Sequence, residues 1–385
     1  MASGAVNGPA ADAPPGRAIE PHGGNLVAAA RRLGRPPGDL LDASASLVPF
    51  APPAAARVAL IRAALGSPLR AYPDRHWQQL RTLLGDLHGL PPSWVLPGNG
   101  AAELFTWAAR DGAAAGLSLV PAPGFADYDR ALACWGGSSR PYPLPLRWDG
   151  AFPHPFPALA TQGPPGQVLW LTNPHNPTGQ LWSRASLEPL LERFALVICD
   201  EAFLPLVPDG EAQSLVPLLQ CYPNLVVVRS LTKLLSVAGL RLGYALGGPS
   251  RLARWARWRD PWPLNGLALA VAEDLLRRPG WLPRWSARVQ AWVGREGPWL
   301  VDRLRACSGL TPLPSAANFL LVRGEQSLTG LGDRLARRHG VLVRDCRSFR
   351  GLDEHWLRLG LQDRRGNRRL LRALSCELGG GAAGS

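Results

Sequence analysis

At 385 residues and 46% hydrophobic content, the chain can bury the core of one large domain plus a smaller one, and no run approaches the roughly 20 apolar residues of a membrane span. The net charge of +13 comes from arginines spread over the whole length, with no basic block interleaved with aromatics, which argues against nucleic acid and for small anionic substrates. The six cysteines are scattered, without a CxxC pair or a histidine cluster at metal spacing; this argues for reduced thiols in the cytoplasm and against a metal.

In chain order, residues 1–17 lack a basic and then an apolar stretch and read as a disordered leader. Residues 18–64 are expected to complete a small domain formed mainly by 267–377. Residues 65–266 carry apolar runs ending in polar, Gly- or Pro-rich turns. Val168–Leu171 leads into Thr172–Gly179, Leu196–Cys199 into Asp200-Glu201, Leu225–Val228 into Ser230–Lys233, and Leu240–Leu246 is a fourth. Separated by helical patterns such as Ser183–Arg193, these read as buried strands of a mostly parallel α/β sheet, with ligands expected beyond the strand ends. After Leu267 a long amphipathic helix is expected over 268–305. Shorter strands follow near 318–322, 341–343 and 356–361, giving a small α+β domain, and 378–385 reads as a flexible tail.

Of 42 basic residues, 41 are arginine; the one lysine is Lys233. Arginine holds its proton and forms no imine, whereas a lysine amine can lose its proton and condense with a carbonyl. Lys233 is therefore the candidate for covalent chemistry, and a Schiff base with pyridoxal phosphate is the obvious use. Asp200 follows an apolar strand, where a carboxylate is costly without a cation such as a pyridinium N–H. Asn176 lies in the turn Asn-Pro-His-Asn-Pro-Thr-Gly, able to aim its amide at a ring hydroxyl. Gly98-Asn-Gly100-Ala101-Ala102-Glu103 opens a helix whose N–H groups suit a phosphate. Ser230, Thr232 and Arg241 add hydroxyls and a cationic fork for a dianion, and Phe125 is a candidate to stack on the ring. Singly, several of these are ordinary: a surface Asp-Glu turn, a lone core aromatic.

Together the segments HGGN, YPD, PGNG, NPHNPTG, DEAF, SLTK, RLGY, ANF, VRDC and WLRLG, in this order over residues 20–375, resemble the fold-type I pyridoxal-phosphate enzymes. The branch is the one holding histidinol-phosphate aminotransferases and threonine-phosphate decarboxylases. The resemblance implies that Lys233 carries the cofactor as an imine, Asp200 pairs with the pyridine nitrogen and Asn176 binds the ring hydroxyl. It also implies phosphate contacts from Gly100, Ala101, Ser230, Thr232 and Arg241, with Ala102 standing where a hydroxyl residue is common. Tyr72 is similar to the tyrosine that reaches the neighbouring subunit's cofactor, so a homodimer is implied.

Three features favour the decarboxylase side of the branch: His22-Gly23-Gly24-Asn25, the Val343–Phe349 segment, and Phe203 where the aminotransferases usually carry tyrosine. By this resemblance Arg344 and Arg358 grip the two anionic ends of a phosphoamino acid. His22, Gly23, Ser46 and Asn176 complete the substrate set, with Ser46 replacing an asparagine. The expected reaction is decarboxylation of L-threonine O-3-phosphate to 1-aminopropan-2-yl phosphate for cobalamin biosynthesis. The alternatives are transamination of histidinol phosphate with 2-oxoglutarate and a non-catalytic binding protein on the same scaffold.

Overall fold

The computed structural model describes residues 22–157 and 167–379; the leader expected at 1–17 lies outside them, as do residues 380–385 of the expected tail. A seven-stranded sheet runs in the order Val95–Asn99, Leu242–Gly247, Leu225–Ser230, Leu196–Asp200, Val168–Thr172, Ser118–Ala122, Ser139–Pro143. The last five are mutually parallel, and Leu242–Gly247 is antiparallel to both of its neighbours. Six strands therefore end at the same edge, and the seventh begins there. The central runs are apolar throughout because helices cover both faces: Val168–Leu171 and Leu225–Val228 are at most 1% exposed.

Three strands of this sheet were not apparent in the apolar pattern. Val95–Asn99 and Ser139–Pro143 are the sheet's edges and contain Pro97, Gly98, Pro141 and Pro143, which break the run of strand-forming residues. Ser118–Ala122 is interrupted in the same way by Pro121. The strand expected from Leu240 begins at Leu242, because Arg241 takes a left-handed conformation (φ 56°) that ends the preceding turn.

The single helix expected over 268–305 is instead two, Gly266–Leu276 and Trp281–Arg305. The break falls at Pro279-Gly280: proline offers no N–H, and Gly280 turns left-handed (φ 63°). A four-stranded antiparallel sheet follows, ordered Arg344–Asp345, Trp356–Gly360, Phe319–Gly324, Leu310–Pro312. Leu41–Asp42 pairs in parallel with Val341–Leu342, tying the N-terminal stretch to the C-terminal one. Among the described residues no helix is long and apolar enough to cross a membrane.

Candidate active site

The strand ends meet the Arg344–Asp345 and Trp356–Gly360 strands and the segment from His22 to Ser46 around a cavity of about 370 Å³. Its lining includes His22, Gly23, Ser46, Ala101, Ala102, Phe125, Asn176, Asp200, Ser230, Thr232, Lys233, Arg241, Arg344 and Arg358. Gly100 lies in the first turn next to the lining residue Ala101. Tyr72 is elsewhere: it is 79% exposed and stacks on Trp262 with ring centroids 4.5 Å apart.

Lys233 sits in the one-turn helix Leu231–Leu234 directly after its strand, so its position is set by the sheet rather than by a loose loop. Burial pushes its amine down to about 8, helped by the positive charges of Arg358 and Arg241 and opposed by Asp200. A useful fraction of neutral, nucleophilic amine therefore exists near neutrality. Nζ lies 5.6 Å from the centroid of the Phe203 ring.

Asp200 is also buried, and burial raises its carboxyl to about 6. The rise is restrained by hydrogen bonds from the Tyr128 hydroxyl (2.7 Å) and the Ala202 N–H (2.9 Å). Burial pushes the Tyr128 phenol well above its ordinary range, so it stays protonated and donates. Its oxygen is 2.7 Å from Thr172 Oγ1. Tyr128 is the functional residue that the sequence reading passed over. It stands three positions after Phe125, at the start of the short helix Asp127–Ala133, and no spacing in the sequence marks its contact with Asp200.

The phosphate-binding expectation rests on local backbone. Helix Gly100–Ala115 has no side-chain cap at Asn99, so its first N–H groups face a would-be anion unshielded. Ser230 Oγ and Thr232 Oγ1 are 2.7 Å apart. A Cβ on Gly243 would stand 2.7 Å from the Ala101 nitrogen, so glycine there lets the strand approach the helix start. The Ala102 carbonyl accepts from Arg130 and from the Thr106 hydroxyl, which braces the first turn.

At the opposite side, Arg358 and Arg344 face each other across an antiparallel pair and are 7% and 5% exposed. Arg358 donates to Asn176 Oδ1 (2.6 Å) and to the Ser44 carbonyl (3.1 Å). The amide oxygen of Asn176 is thus taken by Arg358, leaving its N–H₂ to reach a ring hydroxyl. Burial lowers the Arg358 guanidinium to about 10. Its carbon is 5.1 Å from the Phe319 ring centroid and 5.8 Å from that of Phe349. Arg344 also donates to the Ser348 hydroxyl. His22 lies 5.6 Å from Phe125, centroid to centroid; burial holds its imidazole below the usual range, and Asp127 opposes this. The Ser46 hydroxyl is buried without a partner among the described residues.

These groups fit pyridoxal phosphate. A buried carboxylate that accepts two hydrogen bonds still lacks a hydrogen-bonded cation, and a protonated pyridine nitrogen is one. The uncapped helix start, two hydroxyls and Arg241 suit a dianion. A buried, partly neutral amine suits an aldehyde.

Comparison with known proteins agrees. Residues 38–374 match the model of the family described as aminotransferase class I and II. Over 359 residues the chain is 34% identical to the threonine-phosphate decarboxylase of Salmonella typhimurium, covering 92% of this chain and 95% of that one. It is 35% identical over 334 residues to the histidinol-phosphate aminotransferase of Symbiobacterium thermophilum, covering 86% and 88%. The fold matches that of histidinol-phosphate aminotransferase from Sinorhizobium meliloti, solved with pyridoxal 5'-phosphate, at a TM-score of 0.76 and 22% identity, over 92% and 94% of the two chains. The chain therefore belongs to the class I and II aminotransferase family, and its cofactor is pyridoxal phosphate.

Proposed function

We propose that this enzyme decarboxylates L-threonine O-3-phosphate to 1-aminopropan-2-yl phosphate. The observation that carries the proposal is the buried pair Arg344 and Arg358, side by side on one cavity wall. Two guanidinium forks suit a substrate with two anionic ends, a carboxylate and a phosphate. Histidinol phosphate has only one, but the 2-oxoglutarate of the alternative reaction has two, so the pair supports a doubly anionic substrate and the choice of reaction draws on similarity as well. The similarity to the Salmonella decarboxylase over nearly the whole chain supports the same choice.

Bound here, pyridoxal phosphate supplies an electrophilic carbon for the substrate amine and a ring that takes up the electron pair of the breaking bond. The protein's part is orientation. Only the bond held perpendicular to the ring breaks readily, so Arg358, fixed by Asn176 and Ser44, would hold the carboxylate in that direction. Arg344 and His22 would anchor the phosphate at the other end. Phe125 would cover one ring face, and Asp200, held ionised by Tyr128, would keep the pyridine nitrogen protonated. Lys233, with its amine near 8, is suited first to imine formation and then to delivering a proton to the carbon that lost carbon dioxide. With phenylalanine at 203, no hydroxyl at that position competes for this amine.

A homodimer is part of the proposal. Val58, Ile61, Leu65, Leu69 and Tyr72 expose 41–85% of their surface along one stretch of chain, an apolar patch of the kind that marks an interface. A cytoplasmic location is part of the same proposal, supported by six cysteines with no disulfide among the described residues. A second reading, transamination of histidinol phosphate, draws on the 35% identity to the Symbiobacterium aminotransferase. The cofactor-loaded enzyme given L-threonine phosphate tests both. Carbon dioxide release unchanged by adding 2-oxoglutarate supports the decarboxylase. No carbon dioxide, with glutamate formed from histidinol phosphate and 2-oxoglutarate, overturns it.

A further inference from the structure

A second cleft, of about 520 Å³, lies at the far end of the edge strand and shares no lining residue with the catalytic cavity. Its walls come from the start of helix Gln78–His88, from Val95 and Leu96, and from the helix Pro249–Trp258 with the residues after it. Four arginines line it: Arg75, Arg81, Arg257 and Arg259.

Arg259 is 6% exposed and carries the Trp77 ring 4.2 Å above its guanidinium carbon. One of its terminal nitrogens is committed to the Pro97 carbonyl (2.7 Å) and to Glu103 (3.3 Å). Its Nε and Nη2, and the Nε1 of Trp77 (3% exposed), have no partner among the described residues. Trp77 holds a left-handed backbone conformation (φ 46°), uncommon for a bulky residue, and as the helix's first flanking residue it provides no side-chain cap.

The nearby acids are already engaged. Asp74 accepts from the His76 and Gln78 N–H groups, Asp260 from the Trp262 N–H, and Glu103 from the Asn99 N–H. Arg81 spends one donor on the Pro92 carbonyl, Arg75 lies 5.8 Å from the Trp262 ring, and neither has a carboxylate partner among the described residues. The cleft thus gathers more cationic donors than acceptors: the one carboxylate partner of Arg259 among the described residues is Glu103, and Asp74 is spent on the first N–H of the helix.

We infer that this cleft is a second binding site, for a tetrahedral oxyanion: free phosphate or the phosphoryl group of a small metabolite. Guanidinium forks match such oxygens bidentately, which is why several arginines converging on one cavity with donors left over, among them Nε and Nη2 of Arg259, select phosphate rather than a neutral ligand. The cavity is large enough for a small phosphorylated molecule.

The test is calorimetric titration of cofactor-loaded enzyme with inorganic phosphate at constant ionic strength, repeated with propyl phosphate. Wild type should bind. Arg344→Gln, which weakens the catalytic cavity's own anion site, should leave this binding intact. The double variant Arg81→Gln, Arg257→Gln should weaken it about tenfold or more, as loss of charge-assisted hydrogen bonds demands. Arg368→Gln with Arg372→Gln, removing equal charge from the C-terminal helix, should not. Stronger binding of propyl phosphate assigns the site to a metabolite, and equal binding assigns it to free phosphate. No binding to wild type, binding abolished by Arg344→Gln, or binding untouched by the Arg81, Arg257 pair would each overturn the inference. Retained cofactor absorbance shows that the variants are folded, and Arg75→Gln with Arg257→Gln replaces the pair if Arg81 proves structural.

Discussion

Replacing Tyr128 with phenylalanine removes one hydroxyl and leaves Asp200 with a single hydrogen-bond donor, the Ala202 N–H. A hydrogen bond to a charged group contributes about 1.5–3 kcal/mol, which corresponds to about a ten- to hundredfold change in proton affinity. Since burial already holds the carboxyl at about 6, the variant's Asp200 should titrate at or above neutrality. A carboxyl whose pKa is raised by folding contributes stability that is present at low pH and lost as pH climbs through the folded value. In the cofactor-free wild type that loss is complete a little above pH 6; in Tyr128→Phe it should continue through neutrality. The assay is thermal unfolding of both cofactor-free proteins from pH 5.5 to 8.5. The gap between their melting temperatures should be small at the acid end and widen toward pH 8. A gap that stays constant with pH would refute the claim that Tyr128 acts by holding Asp200 ionised, and would leave it a packing residue.

Four further outcomes are expected. Lys233→Ala should bind pyridoxal phosphate without the visible absorbance of a protein Schiff base, read by spectrophotometry after dialysis. Covalent capture of the cofactor by the cofactor-free wild type, followed by stopped flow, should speed up roughly tenfold per pH unit on the acid side and level off above about 8, where the Lys233 amine is neutral. Gly243→Ala would drive a methyl to 2.7 Å from the Ala101 nitrogen, and overpacking of about 1–3 kcal/mol at the helix start should weaken cofactor binding about ten- to hundredfold in a fluorescence titration. Leu65→Asp, on an 85% exposed leucine of the apolar strip, should halve the molar mass measured by light scattering if that strip is the dimer interface.

Much of the large sheet was legible because its central strands are unbroken apolar runs, and only a strand buried on both faces needs such a run. The proline-bearing edge strands were hidden by the same logic: an edge tolerates residues that a central strand does not, so their pattern resembles loop. The helix break at Pro279-Gly280 was visible in principle and was overridden by the amphipathic pattern on both sides. In the site, chemically unusual residues announced themselves: Lys233 by its rarity, Asp200 and Asn176 by their places after strands. Tyr128 did not, because its role is a contact made from a helix to two strand ends, and one sequence carries no trace of which carboxylate a tyrosine will meet. The Asn176–Arg358 bond spans 182 positions and was likewise beyond reach, although both residues had been singled out. The arginines of the second cleft were invisible for the opposite reason. In a chain with 41 arginines, four that converge in space look like composition.

The central claim is that the bond to the carboxylate breaks while the neighbouring C–H survives. Turnover of L-threonine O-3-phosphate in heavy water, with the product examined by proton magnetic resonance, reads this directly. The proposal predicts 1-aminopropan-2-yl phosphate carrying one deuterium and one retained hydrogen on the carbon beside nitrogen. Loss of that original hydrogen, with a 2-oxo acid as product, would contradict it.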